Sequence, residues 1–439
     1  MSRLVRTIGL VCRARRQARV PFHPLDEIRR AGRRRMRAML RHAADSVAFY
    51  REALAEGGSR PDDFEELSDL ARLPLVTPGD FQADPGRFSP PSSGGDPGVV
   101  VMSGGSTAEP KAVRHDSDAL LANAAHGERE RSIVTRLVGR STGYREAVVA
   151  PPFASVFEVQ RFVSEHTCLP GPLGVRREYF SLLEDVRANA AAVAGFAPHV
   201  LQTYGSYVGP LLREMHDADG VPGTLRVVTY SSDALPEPDR RFVEDELGLP
   251  VLSTYQAVEA FKIGFECGEG EGLHLNVDLY PVRIVDEEGR EVTDGRTGSV
   301  VVSNLVNRAT VLLNYRIGDR AARLRGACPC GRTLPRITRP EGREEDWVED
   351  PEGRRAHPQA VATLFTDETG IRTYQVIQRA PGHFELRLVG SSEVDRREAE
   401  ARLRRKFTER FGAGTVVEPR WVERLERSPA GKVRAVVRR

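Results

Sequence analysis

Residues 101–111 read Val-Met-Ser-Gly-Gly-Ser-Thr-Ala-Glu-Pro-Lys. Gly104 and Gly105 let backbone N–H groups approach phosphate oxygens, Ser103, Ser106 and Thr107 add hydroxyl donors, and Lys111 adds charge. The Gly-Lys-Ser/Thr ending of a Walker loop is missing. A flexible Gly/Ser turn has the same composition, so composition alone leaves the two readings level. A second group is built from sulfur and imidazole. Cys267 precedes His274 by seven residues, and Cys328 and Cys330 follow some fifty residues on. Thiolates and imidazole suit tetrahedral zinc, which would pin a β-rich segment to a neighbouring sheet. The spacing is not that of a standard finger, and reduced buried thiols are the alternative reading. Zinc is favoured because two cysteines one residue apart in a Gly/Pro turn make poor core. Glu259, Asp319 and Lys432 mean little one by one: an exposed acid, a turn residue after glycine, and a solvated lysine.

The elements that must position these groups change texture along the chain. Residues 25–56 read as helix, with Ile28, Met36, Leu40 and Ala44 on one face. The arginine-crowded face, Arg29 to Arg41, reads as solvated surface ahead of any anion-binding role. Residues 89–98 are a turn-rich linker into a short strand at 99–102. From 99 to 275, strand-like runs at 147–150, 200–203, 225–230 and 251–255 alternate with helix-length stretches, which predicts an α/β sheet with parallel pairing. A hairpin over 282–292 and a strand over 298–304 follow. Beyond 342, strands at 374–378, 383–389 and 416–425 flank a helix over 392–411, in which Ala399, Leu403, Phe407 and Phe411 recur every four residues.

The order of several motifs resembles the adenylate-forming (acyl-CoA synthetase) superfamily, and within it the phenylacetate–CoA ligase-like branch. Residues 103–111 match its phosphate loop, with Ala108 in place of the last glycine. Ser231, Ser232 and Asp233 stand at its adenine-contacting turn. Tyr255, Gln256, Ala257, Val258 and Glu259 match Tyr-Gly-x-x-Glu, and residues 315–319 match Tyr-Arg-Thr-Gly-Asp. The Cys-Pro-Cys-Gly-Arg-Thr run from Cys328 is a mark of the branch. Residues 342–346 resemble the interdomain hinge, with Arg343 beside it, and Lys432 sits in a run similar to the C-terminal catalytic lysine loop.

The resemblance implies an α/β fold: a large N-terminal domain over 1–341 and a small mobile α+β lid over 342–439. The first would divide into a helical entry region (1–98), an α/β core (99–275) and a β-rich subdomain (276–341). It implies ATP-dependent activation of a carboxylic acid as acyl-AMP, with release of pyrophosphate and transfer to a thiol such as CoA. Residues 103–107 and Lys111 would hold the β- and γ-phosphates. Ser231, Ser232, Asp233, Tyr255, Asp319 and Arg343 would complete the nucleotide site, with Asp319 on the ribose hydroxyls. Glu259 would help bind Mg²⁺, and Lys432 would bridge the carboxylate and the pentavalent phosphate. Phe153, Phe157, Tyr204, Tyr207, Gln256 and Ala257 lie in segments that would line the acyl pocket, which favours an aryl or other hydrophobic acid.

Gln256 replaces the motif's glycine, and Glu345 stands where the hinge usually has aspartate. Residues 349–355 form a charged turn where CoA-forming relatives line the pantetheine tunnel. The acceptor is therefore CoA, an acyl or peptidyl carrier-protein thiol, or an amine, and an inactive relative serving as a binding module is the rival from another class. A length of 439 residues calls for at least two domains. A net charge of +2 demands no polyanionic partner, so neither nucleic acid nor membrane is expected. No apolar run has membrane-spanning length. The first nineteen residues do not read as a secretory leader, and five cysteines do not read as a disulfide framework, so a cytoplasmic protein is expected.

Overall fold

The structure is a computed structural model. It describes residues 3–91, 98–102, 111–152, 154–168, 174–218, 220–340, 348–356, 360–361, 363–365, 368, 370–427 and 433–438. The chain divides into two units, each compact in its own contacts. The first comprises Met1–Glu146, Pro152–Glu178 and Leu252–Arg339, and the second Ala147–Pro151, Tyr179–Val251 and Pro340–Arg439.

In the first unit the predicted helix over 25–56 is two helices, Leu25–Ser46 and Ala48–Glu56. The break is at Val47, whose backbone is extended (φ −114°, ψ 115°) and whose branched side chain is fully buried. A β-branched residue gains from this extended conformation, and the turn swings Tyr50 and Leu54 into the core. The β-rich part runs in the order Val282–Val285, Thr297–Val302, Tyr315–Leu324, Arg336–Ile337, Leu273–Leu275, Ala260–Phe265, Val251–Ala257. The pairs are antiparallel throughout. Apolar residues from Met36 to Phe88 pack on one face of these strands, against Ile284, Val300, Val302 and Tyr315. A short antiparallel hairpin, Val99–Met102 with Ala112–His115, flanks the loop that the motif reading singled out.

The arginine-rich helix face splits in two. Arg33 and Arg41 pair with Glu66 and Asp62 near the surface, as a solvated face should. Arg35 instead donates to Asp278 Oδ2 at 2.9 Å, and the fully buried Arg129 donates to Oδ1 at 2.7 Å and to the same Oδ2 at 2.9 Å. Arg129 also donates to Gln17 Oε1 (2.8 Å) and Asn276 Oδ1 (2.9 Å). Burial alone would raise the Asp278 carboxyl, but Arg129 and Arg35 outweigh it and hold the group below the usual carboxylate range.

In the second unit, the strands Val200–Tyr204 and Val227–Ser231 pair in parallel, joined through the helix Gly205–Asp217. This is the alternating pattern predicted for the α/β core. The C-terminal sheet has the order Val416–Trp421, His383–Gly390, Ile371–Ala380, Val436–Arg438, with an antiparallel central pair and parallel outer pairs. Its helix begins at Arg396 rather than 392, because Asp395 caps it by accepting the Glu398 N–H at 3.1 Å. Ala399, Leu403, Phe407 and Phe411 lie on one buried stripe against Phe384, Leu386 and Leu388.

Candidate functional site

Glu259 lies at the tip of the hairpin formed by Val251–Ala257 and Ala260–Phe265, where Ala257 pairs with Ala260. Its carboxylate is 4% exposed, a costly place for a charge without a partner. The partner is Lys111, whose Nζ lies 2.5 Å from Glu259 Oε1 and donates to the Tyr315 hydroxyl at 3.0 Å. Tyr315 in turn donates to Glu259 Oε1 at 3.1 Å. The tip is fastened behind by Asn304, which donates to the Glu259 carbonyl at 2.7 Å, and by His115, whose Nε2 lies 2.8 Å from the Val258 carbonyl. Burial lowers His115 to about 4, only partly offset by that carbonyl, so its ring is neutral near pH 7 and stacks on Phe261.

Four residues back, on the strand that leads into the tip, Tyr255 donates to Asp319 Oδ2 at 2.7 Å. Asp319 lies four residues after Tyr315. Tyr255 on its strand and Glu259 at the hairpin tip thus meet two residues of the strand Tyr315–Leu324, although the two strands are not neighbours in the sheet. A β-bulge makes the reach possible: register with Thr297–Val302 slips between Ser299 and Val301, and Gly318 takes φ +93° there. That left-handed backbone is cheap only for glycine, and the bulge re-aims Asp319. Gln256 donates to Thr254 Oγ1 at 2.9 Å, Ala257 packs against the core, and Phe157 is half-buried on the helix Ser155–His166.

The second unit holds Ser231, Ser232 and Asp233 of the predicted nucleotide residues. Ser232 has φ +77°, an unusual conformation for a residue with a side chain, and its hydroxyl hydrogen-bonds Tyr204. Burial is the main reason the Tyr204 phenol is pushed up to about 12. Asp233 accepts the Ser206 N–H at 3.1 Å and its hydroxyl at 2.6 Å. The contact needs Gly205, since a Cβ there would stand 2.6 Å from the backbone of residues 233–235. Tyr207 is buried, and its hydroxyl accepts from Asn189 Nδ2 at 2.9 Å. Ser103, Gly104, Gly105, Ser106, Thr107, Phe153, Arg343 and Lys432 lie outside the described residues.

Cys267, His274, Cys328 and Cys330 place their ligand atoms within 4.8 Å of one another. Cys267 Sγ is 3.6 Å from Cys328 Sγ, and Cys330 Sγ is 3.4 Å from His274 Nε2. Four donors around a zinc ion at the usual ~2.3 Å Zn–S distance would stand about this far apart. The Glu269 N–H points to Cys267 Sγ at 3.5 Å, as backbone donors do at thiolate ligands.

Sequence reasoning passed over Tyr315 and Asn304. Tyr315 opens the motif that contains Asp319, so its neighbourhood was visible, but its bond to Lys111 joins positions 204 residues apart. Asn304 carried no signal of its own.

The AMP-binding enzyme family model matches residues 17–307, and the CapK C-terminal domain model matches 348–439. The chain is 24% identical over 379 residues to the phenylacetate–coenzyme A ligase of Thermus thermophilus, covering 82% of this chain and 80% of that one. It is 25% identical over 346 residues to the enzyme of that name from Escherichia coli, covering 74% and 73%. Among solved structures, a 2-hydroxyisobutyryl-CoA ligase in the postadenylation state with R3-HIB-AMP has the same fold, with a TM-score of 0.75 at 19% identity over 95% of this chain and 91% of that one. With a family model spanning well over half its length, the chain belongs to the AMP-binding family of adenylate-forming enzymes, in the phenylacetate–CoA ligase-like branch.

Proposed function

We propose that this protein uses ATP to activate a carboxylic acid, with an aryl or other hydrophobic acid favoured, and passes the acyl group to the thiol of CoA. A carboxylate oxygen attacks the α-phosphorus, the bond to the bridging oxygen breaks, and pyrophosphate leaves. The thiol sulfur then attacks the acyl carbonyl and AMP departs. The observation that carries the reading is the Lys111–Glu259–Tyr315 set together with the Tyr255–Asp319 pair, each residue at a family motif position.

Both reactants of the first step are anionic, so the site must supply positive charge and alignment more than acid–base chemistry. Lys111 and Glu259 neutralise one another when no nucleotide is present. With phosphates bound, the Lys111 ammonium has their oxygens to neutralise, together with the donors of residues 103–107, and Glu259 is freed for Mg²⁺. That ion would supply further charge against the phosphates. Asp319, oriented by Tyr255, accepts from the ribose hydroxyls. Ser231, Ser232, Asp233 and Arg343 complete the nucleotide contacts. Lys432 reaches the reacting carboxylate and phosphate from a mobile lid, residues 342–439. Phe153, Phe157, Tyr204, Gln256 and Ala257 shape the acyl pocket. Tyr207 contributes less to it, because its hydroxyl is committed to Asn189.

Acid-dependent exchange of labelled pyrophosphate into ATP tests this directly. Exchange with one class of acid is expected, followed by thioester formation when CoA is added. Protein that binds ATP but exchanges with no aryl, aliphatic or amino acid would overturn the reading. A second acceptor is favoured by one observation. Residues 349–355 close a hairpin turn, in which Asp350 accepts the N–H groups of Glu352 and Arg354, where CoA-forming relatives line the pantetheine tunnel. Comparing CoA with a phosphopantetheinylated carrier protein and hydroxylamine separates the acceptors.

The Cys267–His274–Cys328–Cys330 set holds a structural zinc ion in this reading, tying the strand Leu273–Leu275 to the loops that carry Cys267 and the Cys328–Cys330 pair. Purified protein should contain one zinc per chain, and a strong chelator at neutral pH should lower its melting temperature by about 10 °C. Metal-free protein from zinc-replete cells, with a Cys330→Ser variant melting like the parent, would rule the ion out. We place the enzyme in the cytoplasm: Cys12 and Cys168 are exposed free thiols, and no described helix is long and apolar enough to cross a membrane.

A further inference from the structure

Arg427 is a half-buried cation that the chemistry above does not use. In the second unit its guanidinium lies over the Tyr207 ring, 4.7 Å from the centroid. It donates to Ser206 Oγ at 3.1 Å and to the Ser206 carbonyl at 3.0 Å. Burial lowers its pKa, while the charge of Asp233 pulls the other way. Ser206 is the link, because its hydroxyl and N–H both donate to Asp233. One guanidinium thus closes a chain that runs from the nucleotide turn (Asp233), through the first turn of the helix Gly205–Asp217 (Ser206, Tyr207), to the C-terminal segment.

Sequence distance gives this chain of contacts its meaning. Arg427 precedes Lys432 by five residues. A fully extended peptide covers about 3.5 Å per residue, so anchoring Arg427 confines the Lys432 backbone to within roughly 17 Å of the anchor. An anchor made of a ring face and a fork of charge-assisted hydrogen bonds is directional and specific to arginine. We propose that Arg427 is a positioning residue for the adenylation half-reaction: it holds the segment leading to Lys432 against the Ser206–Asp233 turn while acyl-AMP forms. This rests on the adenylating function proposed above.

The test separates the two half-reactions in the full chain. Arg427→Ala should slow acid-dependent pyrophosphate exchange by about 30-fold, through kcat, while KM for ATP stays within about threefold. Transfer of the acyl group from preformed acyl-AMP to CoA should change by no more than about threefold. Arg427→Lys keeps the charge but not the planar fork, so it should recover only part of the exchange rate. Equal loss in both half-reactions, or loss in neither, would overturn the proposal. Should the parent protein exchange with no acid, the function fails first and the anchor is judged by hydrogen exchange. Arg427→Ala should then expose amides at 205–212 and 416–427 while 384–390 and 396–411 stay protected. Unchanged exchange at 205–212 and 416–427 would refute the anchor by itself.

Discussion

Replacing Lys432 with alanine is expected to lower acyl-AMP formation by roughly 100- to 1000-fold while ATP binding stays nearly intact. Adenylation brings a carboxylate onto an α-phosphate, and negative charge collects on the equatorial oxygens as the bond forms. A cation aimed at those oxygens stabilises the transition state more than the ground state, so its loss falls on kcat. In the proposed site ATP affinity would come from other groups, Lys111 and the Tyr255–Asp319 pair among them. Acyl transfer from supplied acyl-AMP passes through a tetrahedral carbon rather than a pentavalent phosphorus, with the charge developing on the carbonyl oxygen and the departing AMP, and should survive the substitution. Pyrophosphate exchange and calorimetric ATP binding, run side by side, decide the matter. Exchange at the parental rate would remove Lys432 from the mechanism, and equal loss of exchange and binding would point to damaged folding instead.

The second large effect is on stability. Asp278→Ala should destabilise the protein by about 3–5 kcal/mol, because it leaves buried cations without their counter-ion. Arg129 is fully buried and gives two hydrogen bonds to this carboxylate, and Arg35 gives a third. Asn276 and Gln17 still accept from Arg129, yet neither carries charge. Asp278→Asn keeps the shape but loses the charge and should recover only a minor part. With two units, unfolding need not be a single transition, so the first melting transition is the quantity to follow. It should fall by about 10 °C. An unchanged transition in Asp278→Ala would mean that water already neutralises the pair.

What the amino-acid sequence determined here is local. The every-fourth-residue stripe Ala399–Leu403–Phe407–Phe411 specified a helix and its buried face, since helical periodicity is set within a few turns of the chain. The alternation of apolar runs and helical stretches around 200–231 specified parallel pairing, since consecutive parallel strands need a crossover between them. The ordered motifs named the family that the matching model bears out.

Tertiary structure decided what depends on distant partners. Arg35 and Arg129 look like any solvated arginine in sequence; the carboxylate that draws them inward lies 243 and 149 residues away. Val47 broke a helix that its neighbours' pattern would have continued, because burying one branched side chain outweighed one more helical turn. Tyr315 joined the Lys111–Glu259 pair only because strands that are not neighbours bring it there. Periodicity is written along the chain, whereas the partner of a buried charge is chosen by desolvation. That cost exists only once the fold has excluded water, so no local pattern records it.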